Sequence, residues 1–519
     1  MKKDLVLGMD FGTQSLKIGV YSIAGEHIFS ASASYPTQHR KNGYSEQDAN
    51  DWWKALKTAM DKMAQAIDLS LIKAVSLCAT SSTVVLTDKN LKPIAPAQCW
   101  MDQRAIQEEE EINSNQQKHV INQLRFSGGK TSIEWMTTKS LWLKKHYDLT
   151  DKRIVEQIDW INYQLTDQLV ASKCNATCKW NYVEHLGGFS EPFFDAVDLR
   201  GITGHWPSNI LNVGDQVGIV TKAAAAQLGV EAGIPVYQGG IDAHIGMIGS
   251  GALEAGRLSM ITGTSFVHMM HHDKPILNDS LWGPYDSPLV KGHWLLEGGQ
   301  LSCGSIISWF LQEFYSGRFD KEEVYKELEQ EVLSINAGSE GLMMLDSWKG
   351  NRTPYKTPHA TGAFIGLTLS HSKYHIYRAI LESIAFGTKN VIQTMNQSGI
   401  TVDRIIAGGG GTHNKCWMQI ISDVTGLPIS IPEDIETGSK GAAIIAAYGL
   451  GNYSSLTAAS SAMVKMKKTY YPDLDKTQKY SELFDIYLNL NEALFPIMKK
   501  LKDGEAGQRE QHTRDEASV

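Results

Sequence analysis

The sequence predicts an α/β chain organised as two related domains. Its 519 residues exceed what one hydrophobic core usually supports. Strand-like and helix-like patterns alternate along the first half. One hairpin also appears twice: Leu5 to Tyr21, LVLGMDFGTQSLKIGVY, and Arg257 to Met270, RLSMITGTSFVHMM. In each, an apolar run reaches a Gly-Thr turn and a second apolar run follows, the pattern of two strands joined by a tight polar turn. One copy per half suggests two domains facing each other across a nucleotide. The expected division is 1–249, 250–500 and a tail over 501–519.

The remaining elements follow in order. Gln47 to Ile67 sets Trp52, Trp53, Leu56, Met60 and Met63 at helical spacing. Ile72 to Leu77 is a short apolar strand running into Ala79-Thr80-Ser81-Ser82-Thr83. Lys139 to Lys145 and Ile154 to Leu165 read as helices. Pro235 to Gly240 leads as a strand into Ile241-Asp242-Ala243-His244. The second half carries helices over Gly304 to Tyr315 and Ile376 to Gln397, the latter with Arg378 and Glu382 on one face. Arg404 to Ala407 is a strand that breaks into Gly408-Gly409-Gly410-Gly411, and Asn414 to Thr425 is helical. Lys440 to Tyr448 is a helix of small residues that can pack closely. From Asp503 the chain has almost no apolar residues, which predicts a disordered tail.

Composition narrows the function. A net charge of -8 leaves no basic surplus to neutralise phosphates, so a nucleic-acid partner is disfavoured. Glu108 to Glu111 reads as a solvated helix face. Six cysteines include one close pair, Cys174 and Cys178, with no second pair to complete a zinc site, so reduced buried thiols are expected. MKKDLVLGMD lacks the apolar stretch of a signal peptide, and no apolar run is long enough to span a bilayer. A cytoplasmic protein with no membrane partner is the expectation.

Four stretches hold candidate chemistry. Asp10 ends a strand, where it could hold hydrated Mg2+, a hard cation that prefers oxygen ligands. Gly12-Thr13-Gln14-Ser15 offers backbone N–H groups and hydroxyls to phosphate oxygens, and Lys17 adds positive charge. The alternative is a plain hydrogen-bonded hairpin. Strand, four glycines and helix can admit a nucleoside, with Asn414 near the purine edge, or form an ordinary tight turn. Asp242, after two glycines at a strand end, is placed as a general base on a hydroxyl or as a helix N-cap. His244 reads as a structural hydrogen-bonding residue. His268, His271 and His272 read as edge or solvent-facing strand residues rather than metal ligands. Trp100-Met101-Asp102-Gln103-Arg104 combines a ring, a carboxylate and a guanidinium, a mixture suited to a sugar. Thr80, Ser81, Lys179 and Glu297 lie near element ends.

Taken together these stretches resemble the FGGY family of carbohydrate kinases, within the actin-like (ribonuclease-H-like) ATPase superfold. The resemblance runs from about Leu5 to Met498. Its most specific stretch is Gly362-Ala363-Phe364-Ile365-Gly366-Leu367, followed by His375-Ile376-Tyr377-Arg378-Ala379-Ile380-Leu381-Glu382. Lys139-Ser140-Leu141-Trp142-Leu143 matches the family's N-terminal signature in part, with Ser140 where an apolar residue is usual. Gly350 to Pro354 and Asp423 to Pro428 are also family-like. The resemblance implies two actin-like domains with a cleft between them. The sugar and Mg2+/phosphate site would lie in 1–249 and the nucleotide site in 250–500. Asp10 would organise Mg2+, and Thr13, Gln14 and Ser15 would meet the phosphates of ATP. Gly263 and Thr264 would form the second phosphate hairpin, Gly410, Gly411 and Asn414 would border the adenosine, and Asp242 would be the catalytic base.

Within the family, Ala79 to Ser82, Trp100 to Ala105, Cys178-Lys179-Trp180 and Glu297 to Gln300 look most like the D-ribulokinase-like branch. By that resemblance Lys179 and Glu297 would hydrogen-bond the ketose. The expected reaction is ATP-dependent phosphorylation of a ketopentose's terminal hydroxyl, D-ribulose at O5. The rivals are kinases of L-ribulose, xylulose, ribitol or erythritol, and a non-metabolic actin-like ATPase. A homodimer is the common family expectation.

Overall fold

The computed structural model describes residues 4–316 and 320–516, with side chains described except at 321 and 504–516. The chain divides into two compact units. The first comprises Met1–Ala255, Met269–Glu297 and Pro432–Met466, and the second comprises Gly256–His268, Gly298–Ile431 and Lys467–Val519. The chain first leaves unit one after Ala255. Two later segments nevertheless return to that unit, so the compact units are not contiguous halves of the sequence.

In the first unit, six strands stand in the order Gln216–Ile219, Pro235–Tyr237, Ile72–Ala79, Leu5–Phe11, Ser15–Ser22, His27–Ser34. Leu5–Phe11 runs antiparallel to Ser15–Ser22 in unbroken register, from Leu5 opposite Ser22 to Phe11 opposite Leu16, and parallel to Ile72–Ala79. Leu7, Met9, Phe11, Leu77 and Val236 are buried in one core with Trp52, Leu56, Met60 and Met63 of the helix Ala49–Ala64. Trp53 flanks that core and donates its indole N–H to Gln227. A second sheet carries Val84–Asp88 against Lys152–Glu156.

The helix expected over Ile154 to Leu165 begins later than its apolar pattern suggests. Ile154 and Val155 belong to the strand Lys152–Glu156, paired with Leu86 and Val85, and the helix is Gln157–Thr166. Both residues are buried, and β-branched side chains suit a sheet. Glu156 and Asp159 then form a reciprocal cap that starts the helix.

The small-residue helix, Thr437–Gly449, packs within the first unit against Leu5–Phe11 and against the helix Asp242–Gly249. Glycines permit the approach. A Cβ on Gly8 would stand 1.9 Å from the Ser439 carbonyl oxygen, one on Gly249 1.9 Å from that of Thr437, and one on Gly441 2.1 Å from that of Ile245. Backbone meets backbone here, so no side chain can yield to make room.

In the second unit, Arg257–Thr262 runs parallel to Arg404–Gly408, with Arg257 opposite Arg404 and Ile261 opposite Gly408. Arg404–Gly408 is in turn parallel to Ile429–Pro432. The Gly263 turn and the glycine run therefore leave the same end of neighbouring strands. The long helix Lys373–Gln397 is held by Arg378, whose guanidinium meets Glu382 at 2.8 Å, the Val332 carbonyl at 2.7 Å and the Tyr480 hydroxyl at 3.0 Å. The backbone of the last helix, Leu474–Glu516, runs into the stretch expected as a tail; beyond Asp503 that stretch lies outside the described side chains.

One strand expectation is corrected. The strand Phe266–His272 has a neighbouring strand on each side, and His268 and His271 are buried rather than edge or solvent-facing. Burial pushes both imidazoles down to about 3, so they stay neutral. Among the described residues, no group of three or more His, Cys, Asp or Glu side chains is arranged to hold a metal, and no helix is long and apolar enough to cross a membrane.

Gly8→Ala should lower unfolding free energy by about 1–3 kcal/mol or more, because the added methyl meets backbone. Gly204→Ala, with nothing within 4 Å of its added Cβ, should stay near wild type. Urea denaturation of the two variants checks the contrast.

Candidate active site

The first hairpin turn is braced from several directions. The Gly12 N–H donates to the Ser15 carbonyl at 3.1 Å, and the Tyr35 hydroxyl donates to the Gly12 carbonyl. The Thr13 carbonyl accepts from Gln47 at 2.6 Å and from the Thr37 hydroxyl at 3.3 Å. The Trp100 indole N–H donates to the Thr13 hydroxyl at 3.0 Å, which joins the predicted sugar stretch to the predicted phosphate turn. Gln14 is exposed, and Lys17, also exposed, pairs with Glu436 at 2.6 Å. The Lys17 charge is thus partly answered within the protein.

Asp10 is the penultimate residue of Leu5–Phe11 and accepts from the Cys78 thiol at 3.4 Å. Burial pushes its pKa up to about 6, opposed by that thiol and by Lys17, with Glu436 adding repulsion. A Cβ on Gly438 would lie 2.4 Å from an Asp10 carboxylate oxygen, so glycine there makes room for the group.

Asp242 opens the helix Asp242–Gly249 at its first position; the cap position is Ile241. Its carboxylate accepts the Ala243 N–H at 2.7 Å. Burial pushes its pKa up to about 7, and the charge of Asp10 adds to the rise while Ala243 and Lys179 oppose it. Beside it, the His244 Nε2 lies 3.8 Å from the Glu297 carboxylate and 3.6 Å from the Cys178 sulfur. Lys179 is buried, with its ammonium 5.7 Å from the Trp135 ring centre. The structure therefore gathers Asp10, Asp242, Lys179 and Glu297, from four separate segments, in one unit.

The other predicted sugar residues occupy distinct situations. Thr80 is buried, its hydroxyl bonded to Thr83 at 2.8 Å and Gln157 at 3.0 Å. The Ser81 hydroxyl accepts from Asn175 at 3.2 Å. Asp102 is fully buried, and its two oxygens accept from Arg104 and from the Ser45 and Arg104 backbone N–H groups. Arg104 also meets Glu46 at 2.8 Å and lies over the Tyr44 ring. Asp102 and Arg104 thus form an internal brace for the loop that presents Trp100. All six cysteines are free and buried.

In the second unit, Gly263 and Thr264 are exposed at the tip of their hairpin, and the start of the helix Gly304–Phe314 is anchored on them. The Gly304 N–H donates to the Gly263 carbonyl at 3.1 Å, and the Cys303 N–H to that of Thr264 at 2.9 Å. Gly409 needs its special backbone, with φ of +87° and a Cβ position 2.2 Å from the Thr262 carbonyl oxygen. The Gly263 turn, Gly410, Gly411 and Asn414 line one cavity of about 530 Å3, whose apolar walls include Tyr325, Leu328 and Trp417. That volume suits a nucleoside. Asn414 caps the helix Lys415–Thr425 by accepting the Trp417 N–H at 3.0 Å, and it donates to the Tyr377 hydroxyl at 3.0 Å.

Sequence reading missed several of these participants. Tyr35 and Gln47 brace the first hairpin turn, and Gln157 braces Thr80, yet none lies in a glycine-rich or charged pattern. The cavity walls Tyr325 and Leu328 sit on a helix, Lys321–Ser334, whose sequence signal was only amphipathic. Glu436 could have been suspected from its place just before the small-residue helix.

Two family models match the chain: the N-terminal domain of the FGGY family of carbohydrate kinases over residues 5–249, and its C-terminal domain over 258–450. An FGGY carbohydrate kinase domain-containing protein of Xenopus laevis is 29% identical, covering 93% of this chain and 96% of its own. A ribulokinase of Anoxybacillus flavithermus is 29% identical, covering 97% of each. The solved structure of xylulose kinase from Rhodospirillum rubrum superposes with a TM-score of 0.84 at 23% identity, covering 95% of this chain and 99% of that one. The fold is the two-domain, actin-like α/β fold of these kinases.

The raised carboxylates predict a pH-dependent stability. Folded Asp10 and Asp242 titrate near 6 and 7, above the ordinary 3.8, so their contribution is full below about pH 4 and is lost as pH rises through those values. Asn at either position removes this loss. The melting temperature of Asp242→Asn minus that of wild type should be near zero at pH 4 and should grow by about 2 °C or more above pH 7. A difference that stays flat across this range contradicts the assignment.

Proposed function

The chain belongs to the FGGY family of carbohydrate kinases, phosphotransferases with an alcohol acceptor, and from that premise we propose that it transfers the γ-phosphoryl group of ATP to the terminal primary hydroxyl of a ketopentose, D-ribulose at O5. The observation that carries this reading is Asp242: a carboxylate at a helix start, poised near neutrality by burial, with Lys179 and Glu297 in the same unit. A primary alcohol is un-ionised at neutral pH and needs an acceptor for its proton. Asp242 takes that proton as the sugar oxygen attacks phosphorus and ADP departs. Lys179 and Glu297 hydrogen-bond the ketose, Trp100 offers its ring to the carbon chain, and Thr80 and Ser81 border the hydroxyls. Asp102 and Arg104 keep their place in this reading as the brace under Trp100.

The nucleotide belongs in the cavity of the second unit. Gly410, Gly411 and Asn414 border the adenosine, and Gly263 and Thr264 meet the phosphates. Gly12, Thr13, Gln14, Ser15 and Lys17 serve the phosphates from the first unit. The donor chemistry of the first unit also fits Mg2+: Asp10 is an oxygen ligand raised by burial and by neighbouring negative charge, a state that a cation relieves. Asp10 would hold it, and the ion when bound supplies charge neutralisation at the transferring phosphoryl group. The division of labour is sugar and Mg2+/phosphate in residues 1–249, joined by Glu297 of the first unit, and nucleotide in 250–500. A cytoplasmic setting, where ATP is supplied, is part of this reading, as is the homodimer common in the family.

A panel of D-ribulose, L-ribulose, xylulose, ribitol and erythritol, read by coupled ADP release, tests the substrate. D-ribulose should give the highest kcat/KM, and a better rival replaces it. ATP turnover indifferent to every added alcohol would overturn the kinase reading. Asp242→Asn should bind ADP as wild type does by calorimetry and lose about 10²–10⁴-fold in kcat. Near wild-type turnover would remove Asp242 from the mechanism.

A further inference from the structure

Lys139 lies in the helix Met136–His146 with its side chain wholly buried. Its ammonium donates to three backbone carbonyl oxygens: Ser82 at 2.6 Å, Cys99 at 2.6 Å and Gln98 at 3.4 Å. None of these partners is a carboxylate. Burying an ammonium is expensive, and here three carbonyl oxygens hold it rather than a directly paired carboxylate, with Asp102, Glu134 and Glu156 acting through their charge. The arrangement therefore asks for a purpose beyond packing.

The three carbonyls show what the ammonium joins. The strands Val84–Asp88 and Ala97–Gln98 pair at Val84 and Gln98. Beyond that pair the first chain continues back through Ser82 to Ser81 and Thr80, and the second continues through Cys99 to Trp100. Lys139 inserts its N–H groups where this pairing stops and bonds to both sides. One buried charge thus couples the segment bearing Thr80 and Ser81 to the segment bearing Trp100. Both flanks are fixed further out, by Thr80 on Gln157 and by Trp100 on Thr13.

We infer that Lys139 is a positioning residue for the alcohol substrate, its ammonium setting the spacing between Thr80–Ser81 and Trp100. This inference rests on the alcohol-kinase reading above. A site held to a fraction of an ångström gains from such a clamp, because misplaced partners lose most of their effect on the reacting group. None of Ser82, Gln98 and Cys99 lines the second unit's cavity, so the effect should fall chiefly on the alcohol. Burial also pushes the Lys139 ammonium down to about 8, opposed by the charges of Asp102, Glu134 and Glu156, with Arg104 bound to Asp102 on the same loop and the Cys99 thiol, itself pushed up to about 12, neutral beside it. Loss of its proton removes one donor from the clamp.

The test uses full-length wild type, Lys139→Met and Lys139→Arg, with the alcohol that wild type turns over best. Lys139→Met keeps length and loses every donor. It should raise the alcohol KM at least tenfold while the ADP dissociation constant stays within twofold. Lys139→Arg, which keeps charge and donors, should fall between the two. An alcohol KM within twofold of wild type in Lys139→Met overturns the inference, as does a parallel loss of alcohol and ADP binding, which marks a merely structural role. Should Lys139→Met fail to fold, wild type decides: its alcohol KM should rise about threefold from pH 7.5 to pH 9, above the Asp242 range, with ADP affinity unchanged, and a flat profile overturns the inference. Wild type that phosphorylates no alcohol sinks the kinase reading itself, whereas an unaffected Lys139→Met beside an active wild type sinks only the clamp.

Discussion

The backbone contact of Thr437–Gly449 is the constraint on which the first unit depends. This helix comes from late in the chain yet lies against the strand that carries Asp10 and the helix that begins at Asp242. Four glycines make that possible, Gly8, Gly249, Gly438 and Gly441, each at a point where a side chain would strike backbone or the Asp10 carboxylate. The contact brings Gly438 up against the Asp10 carboxylate and packs the helix onto Ile245 and Gly249 of the helix that starts at Asp242. Desolvation is the largest cause of the raised pKa values of Asp10 and Asp242.

That desolvation suits the chemistry assigned to these groups. A carboxylate near neutrality can accept a proton from an alcohol and release it again, and a buried carboxylate among like charges gains from a hard cation. The surrounding polar groups are mostly occupied with holding shape. Asp102 and Arg104 brace the loop of Trp100, Tyr35 and Gln47 brace the first hairpin turn, and Lys139 joins the segment bearing Thr80 and Ser81 to that bearing Trp100. The second unit uses a different device. Its glycine run follows a central strand of its sheet, and the absence of Cβ atoms at the strand ends leaves a cavity walled by tyrosine, leucine and tryptophan.

Much of this was legible from local pattern. The two hairpins, the glycine run and Asp242 after its paired glycines are signals carried by neighbouring residues. They emerged at the expected places because strand alternation and turn chemistry act over a few positions. Where pattern misled, a longer-range term won. Ile154 and Val155 fit a helical stripe but pair with Leu86 and Val85 in a sheet. His268 and His271 look polar enough for an edge, yet strands on both sides bury them. Asp102 looks available to a sugar, but its oxygens are taken by Arg104 and two backbone N–H groups.

By itself the sequence determined the kind of chain this is: duplicated strand-turn-strand units, a family signature in the second half, and carboxylates and glycines at strand ends. Each of those depends on short spans, where covalent geometry and side-chain period dominate. The tertiary structure alone decided which carboxylates lie together, that residues 432–466 return to the first unit, and that Lys139 spends its charge on three carbonyls. Those facts turn on burial and on contacts between segments distant in the chain, and neither is encoded at any single position.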